Sequence, residues 1–300
     1  MLVVGGVHLG QAEDLPSLRE QALAAVNADR KTHGLGSLSL SANLNEAAQH
    51  HADDMLERNY FEHASPEGEM VDDRYAAAGG PAWHLVAENL AQCSGCAGPV
   101  DQSRIQELET GWMNSPGHRA NILRQGLNQF GFGLATKDDK LYAVQTFAGP
   151  GRPIGLQPNE QPEAVTPDEA DHLALERINA VRSGQGVPPL QASDALTQVA
   201  LSLLPDDPSG DFTFVPDDMA KALPADQQEA WAAFSASTAG CGGCGAVPMD
   251  VDIRYFTNQW LENPENGGAL LSPSMTHLGF AMAANGDGRK LAMAVLGQER

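Results

Sequence analysis

Apolar side chains recur along this chain at two periods, and the switches between them outline its elements. Leu44, Ala48, His51 and Met55 share one stripe at helical spacing, and Ser41 is placed to cap the helix that they predict. Ser17-Leu18-Arg19-Glu20 has the pattern of a capping box and opens an earlier helix, which Gly34 can end. Ile105, Leu108 and Trp112 mark a third helix. The period then shortens: residues 131–136 and 141–147 alternate around Lys137-Asp138-Asp139-Lys140, which reads as a hairpin. Helices to either side and strands gathered late predict a layered α+β domain.

The second half repeats the first. Trp112-Met113-Asn114-Ser115-Pro116 reads against Trp260-Leu261-Glu262-Asn263-Pro264, and at the same displacement Cys93 and Cys96 return as Cys241 and Cys244, and Gly131-Phe132 as Gly279-Phe280. Further upstream, after a small change of register, Val26-Asn27 matches Ile178-Asn179, Arg30 matches Arg182, Gly34 matches Gly186 and Leu44 matches Leu196. One register held through such unlike residue types is the mark of a duplication. Prolines 150, 153, 158, 162 and 167 forbid a long helix between the copies and favour an extended connector. The chain therefore divides into 1–14, a domain at 15–149, a Pro/Gly-rich linker at 150–167 and a degenerate second domain at 168–298. Leu2 to Gly10, followed by Gln11-Ala12-Glu13, has the apolar stretch and small-residue ending of a secretory signal without its basic start, so 1–14 is a signal remnant or a disordered arm.

Charge narrows the partners. Lys and Arg number 18 against 39 Asp and Glu, a formal net charge of −21 that both halves share. Nucleic acid is repelled by such a surface, and an acidic membrane would need a bridging cation. No apolar run approaches the roughly 18 residues that a transmembrane helix requires.

Both Cys-x-x-Cys pairs lead into glycine and proline rather than opening a helix, which argues against dithiol redox catalysis. Two readings stay open. One is a short-range disulfide in each copy, Cys93–Cys96 and Cys241–Cys244, which suits a secreted or periplasmic chain and is the favoured reading. The other is a single zinc site that takes all four sulfurs.

Tyr60-Phe61-Glu62-His63-Ala64-Ser65-Pro66-Glu67-Gly68, Ala87-Glu88-Asn89-Leu90-Ala91 and Trp112 through His118 to Leu123 resemble the signature segments of the CAP superfamily. This superfamily joins cysteine-rich secretory, antigen 5 and pathogenesis-related proteins, and the resemblance, strongest to its bacterial branch, covers about residues 15–149. It implies a three-layer α-β-α sandwich with two histidines facing each other in a cleft flanked by acidic residues. By motif these are His63 and His118, with Glu88 as the first acid. The second glutamate of eukaryotic members falls on Ser115, so the four-residue cluster is incomplete.

Two neutral imidazoles suit zinc or another divalent cation, weakly bound, with the remaining positions left to water or ligand. Glu88 can orient a ligating histidine or serve as a general base, and Asn89 and Ser115 line the site. Ser115 lacks the setting of a nucleophile and is better placed as the cap of the helix that Pro116 begins, on which Arg119 and Asn121 serve structural hydrogen bonds. His51 belongs to a buried stripe. In the second copy Glu88 becomes Ala236, His118 becomes Asn266, and His63 falls near Phe214, so that copy keeps the core and loses the chemistry.

The expected function is a non-enzymatic module that binds a cation and a small ligand, whether lipid, peptide or wall fragment, in the first domain. Its competitors are a metal-dependent hydrolase using His63, His118 and Glu88, and a partner-binding protein acting through the second domain.

Overall fold

In the computed structural model, which describes residues 14–96, 99–215, 218–225 and 227–300 with the side chains of 264–266 excepted, the first helix opens earlier than its capping-box pattern predicts. Helix α1 spans Leu15–Thr32. Its cap is Asp14, whose Oδ1 accepts from Ser17 N at 3.0 Å, and Pro16 suits the first turn, where no amide hydrogen is needed. The apolar segment at 2–10 lies outside the described residues.

Two compact units follow along the chain, Met1–Gly149 and Pro150–Arg300. The first continues with β1 (Ser39–Leu40), α2 (Ala42–Arg58), α3 (Val71–Ala77), β2 (Leu85–Ser94), α4 (Gln102–Asn114), α5 (Pro116–Ile122), β3 (Gln129–Lys137) and β4 (Lys140–Gly149). Ser41 caps α2 as predicted, accepting from Leu44 N at 3.4 Å. The strands form one sheet in the order β1-β3-β4-β2, with β1 parallel to β3 and the other pairs antiparallel.

Alternation along β4 separates the two faces of this sheet. Leu141, Ala143 and Phe147 join Phe130 and Phe132 in packing against α1 and α4 through Leu18, Ala22, Val26, Ile105 and Trp112. Tyr142 and Val144 face the other way, against Ala48, Ala52 and Met55 of α2. The result is the three-layer α-β-α sandwich. Gly131 sets the closeness of the α2 layer, because a Cβ there would strike the main chain of Leu44.

The second unit repeats this plan with α6 (Pro167–Gly184), β5 (Gln191–Ala192), α7 (Asp194–Leu203), α8 (Asp218–Ala222), β6 (Trp231–Cys241), α9 (Asp250–Glu262), α10 (Pro264–Leu270), β7 (His277–Ala284) and β8 (Lys290–Glu299). Its sheet order is β5-β7-β8-β6, the same order as the first. Structural side chains recur with the same bonds. Arg30 donates from Nη1 to Ile122 O at 2.7 Å, and Arg182 from Nη1 to Leu270 O at 2.6 Å. Asn27 clasps the backbone of Leu38 as Asn179 clasps that of Leu190.

Residues 150–167, read from sequence as an extended linker, instead run through turns at 154–155 and 158–159 and lie along the second unit. Gly245 N donates to Pro150 O at 2.8 Å, Asp250 N to Glu163 O at 2.9 Å, and the Arg254 guanidinium grips both oxygens of Glu160 at 2.6 Å. Prolines keep this segment from forming a helix, and the backbone of Pro150, Arg152, Glu163 and Val165 bonds to this unit.

Candidate functional site

Glu88 sits in the middle of β2, the edge strand of the first sheet, an element that the sequence pattern did not predict. Its neighbour Asn89 faces the opposite way, as successive strand residues must. Glu88 therefore points to the layer of α2 and α3, and Asn89 to that of α4 and α5. Both are buried, at 5% and 0% relative exposure.

On the first face, Glu88 Oε1 lies 2.7 Å from His63 Nδ1, and Oε2 accepts from Arg74 Nη2 at 2.8 Å. Arg74, in α3, also donates to Glu69 O at 2.8 Å and to His63 O at 3.1 Å, so one buried guanidinium ties the His63 loop to the carboxylate. The hydrogen bond to Glu88 raises the His63 pKa above its ordinary value, against the opposing effect of burial. His51 stands behind, with Nε2 at 3.0 Å from Glu62 O and 4.0 Å from Glu88 Oε1, and desolvation lowers its pKa. The buried-stripe reading of His51 fits this position beside the site.

On the second face, Asn89 Nδ2 donates to His118 O at 3.2 Å and to Gln145 Oε1 at 3.1 Å. Asn121 Nδ2 reaches Glu88 O and Asn89 Oδ1, both at 3.0 Å. Gln145 Nε2 donates in turn to Glu109 Oε2 at 2.6 Å. His118, at the start of α5, has its pKa lowered first by desolvation and then by the charge of His63. Ser115 occupies the cap position of α5, but its hydroxyl makes no capping bond.

His118 and Ser115 also line a groove of about 440 Å³ between β2 and α4, with Phe61, Leu90, Leu108 and Trp112 forming its apolar wall. Among the described residues no group of three or more His, Cys, Asp and Glu side chains is placed to hold a metal. The side chains that could offer nitrogen to a cation are those of the two sequence candidates, His63 and His118. With Glu88 accepting the Nδ1 proton, His63 keeps Nε2 as its lone-pair nitrogen, the tautomer that metal ligation needs.

Cys93 is joined to Cys96 and Cys241 to Cys244, and no free cysteine remains. The four-sulfur zinc alternative finds no thiolate here. Arg74, Glu109 and Gln145 were not picked out from the sequence. Glu109 alone carried a signal, as an acid on the buried stripe between Ile105 and Trp112.

The second unit lacks these groups. By strand register Ala236, Ser237 and Ala294 stand where Glu88, Asn89 and Gln145 stand in the first, and Thr257 precedes Trp260 as Glu109 precedes Trp112. The side chain of Asn266, counterpart of His118, lies outside the described residues.

The model of the cysteine-rich secretory protein (CAP) family matches residues 23–147 and 175–297. Two Bacillus subtilis proteins are similar to part of the chain: the uncharacterized protein YkwD, 31% identical over 114 residues, and the uncharacterized membrane protein YlbC, 33% identical over 128 residues. The matches cover 38% and 43% of this chain, but only 41% and 33% of those relatives. A crystal structure of an extracellular SCP-domain protein from Bacillus anthracis is 28% identical, covering 44% of this chain and 40% of that one, with a TM-score of 0.36.

Proposed function

Because the chain belongs to the cysteine-rich secretory protein family, we propose that its first unit is an exported, non-enzymatic binding module. In this reading His63 and His118 hold a divalent cation such as zinc, and the adjoining groove takes a small ligand: a lipid, a peptide or a wall fragment. The supporting observation is the 2.7 Å contact between His63 Nδ1 and Glu88 Oε1, which orients the ring and leaves Nε2 available. Two protein ligands make the affinity modest and leave coordination positions for the ligand. Export agrees with the two local disulfides and with a family that is typically extracellular. Among the described residues no helix is long and apolar enough to cross a membrane.

The bonding of Glu88 argues against the hydrolase alternative. A general base must reach the proton that it removes. Glu88 is buried, with one oxygen on His63 and the other on Arg74, and so has little capacity to activate a water. The test is zinc titration by calorimetry with elemental analysis, on the full chain and on its His63→Ala and His118→Ala variants. One zinc in the parent, lost in each variant, is the expected result; equal uptake by all three rejects the site. Turnover of peptide or ester libraries that disappears in His118→Ala would favour hydrolysis instead.

A further inference from the structure

We infer that Glu109 is a positioning residue for the His63–His118 site, acting through Gln145 and Asn89 on the main chain of His118; this rests on the cation-binding reading above. Glu109 projects from α4 and is 1% exposed, separated from the histidines by two amide side chains. An amide can present either its oxygen or its nitrogen, so a row of amides has no fixed direction by itself. Glu109 Oε2, accepting at 2.6 Å, holds the Gln145 NH2 group toward α4. The Gln145 oxygen must then face Asn89 Nδ2, and the same nitrogen holds His118 O. Asn89 Oδ1 is thereby turned to Asn121, which donates to Glu88 O as well. One buried acceptor thus orients the amides behind both halves of the site. Burial pushes the Glu109 carboxyl up to about 8; the hydrogen bond from Gln145 works against the rise, and Asp29 of α1 adds to it both by its charge and by a hydrogen bond to the carboxyl. The acid keeps its proton at neutral pH and still accepts with Oε2.

An independent observation comes from the second unit. There the polar groups that serve packing persist: Arg182 and Asn179 make the bonds of Arg30 and Asn27. The amide row does not persist. Thr257, Ala294, Ser237 and Ala269 occupy the places of Glu109, Gln145, Asn89 and Asn121, and Ala236 that of Glu88. Thr257 turns its hydroxyl onto Ile253 O of its own helix, and the Ser237 hydroxyl is buried without a partner. A row needed only to fold the sandwich would remain in both copies; this one is absent together with the carboxylate that orients His63.

The experiment follows the His118 ring by NMR in the metal-free full chain, then measures zinc affinity by calorimetry. Glu109→Met and, as a smaller change at the next link, Gln145→Ala should each shift and broaden the His118 resonances and weaken zinc about tenfold. Glu109→Gln, which still offers an oxygen to Gln145, should keep both within about twofold of the parent. His118 resonances and zinc affinity unchanged in both Glu109→Met and Gln145→Ala would overturn the assignment, as would Glu109→Gln behaving like Glu109→Met. If the parent binds no zinc at these histidines, the cation reading fails by itself, and the metal-free His118 resonances still decide the role of Glu109.

Discussion

His63 and Arg74 are held on the two oxygens of one buried carboxylate: Glu88 Oε1 meets His63 Nδ1 at 2.7 Å, and Oε2 meets Arg74 Nη2 at 2.8 Å. Replacing Glu88 by Gln leaves the Arg74 charge buried opposite a neutral group, which costs about 3 kcal/mol when a buried pair is broken. The variant should lose about that much stability in urea, and the His63 pKa should fall. The raised His63 pKa stabilises the fold fully below its unfolded value of about 6.5, and that contribution fades as pH rises through the folded value. NMR titration of His63 that is the same in parent and variant would contradict the assignment.

Cation affinity should decline as the medium is acidified, in two stages. His63 is shifted up by Glu88 and His118 down by burial, so protons compete at His63 first and at His118 only at lower pH. Calorimetry at a series of pH values should show a loss of about tenfold per pH unit in the first stage. A flat profile between pH 5 and 8 would disagree.

Stability should respond to Glu109 in the opposite sense from an ordinary ion-paired acid. Its folded pKa of about 8 lies above the ordinary 4.5, so the folded chain keeps a proton that the unfolded chain has released. The contribution of Glu109 is then fully present below about pH 4.5 and is lost up to about pH 8, by on the order of 5 kcal/mol. Glu109→Gln removes that slope. Urea unfolding of parent and variant at pH 5 and pH 8.5 should diverge at the higher pH.

The two disulfides should differ in reactivity. Cys93 and Cys96 are both partly exposed, whereas Cys244 is fully buried, with its main-chain N donating to Gly288 O at 3.0 Å. Timed reduction, followed by alkylation and mass mapping, should open Cys93–Cys96 first. Each bond closes so short a loop that its loss should cost no more than about 2 kcal/mol. Simultaneous opening would show that access does not set the order.

Gly131 and Gly279 should tolerate no side chain. A Cβ at the first would strike the Leu44 main chain, and one at the second that of Leu196 and Thr197. Alanine at either place should destabilise its own unit by about 3 kcal/mol, measured by urea unfolding. A neutral substitution at either would mean that the helix can move off the sheet.

The duplication, the α2 stripe and the late hairpin were legible in the residue pattern, and the family motifs named residues 63 and 88, which the fold brings into contact. Strand β2 was not: Glu88 and Asn89 interrupt its apolar alternation, and two adjacent polar residues read as loop when both are buried on opposite faces by partners far away in sequence. Helix α3 is seven residues long, too short for a periodic stripe, although Asp73 caps Met70 N at 2.9 Å. Arg74 left no trace, because nothing in its sequence neighbours points to a carboxylate on another element. Gln145 was visible only as one residue in a strand motif, since its role depends on Glu109 of a different layer.

The strap formed by residues 150–166 decides where this protein can be cut. A fragment begun at residue 168 would leave the Arg254 guanidinium without Glu160 and strip hydrogen bonds from Asp250 and Gly245. A fragment begun at Pro150 keeps all of them, and a protease acting on the folded chain should spare Glu160 and Glu163 despite their proline-rich surroundings.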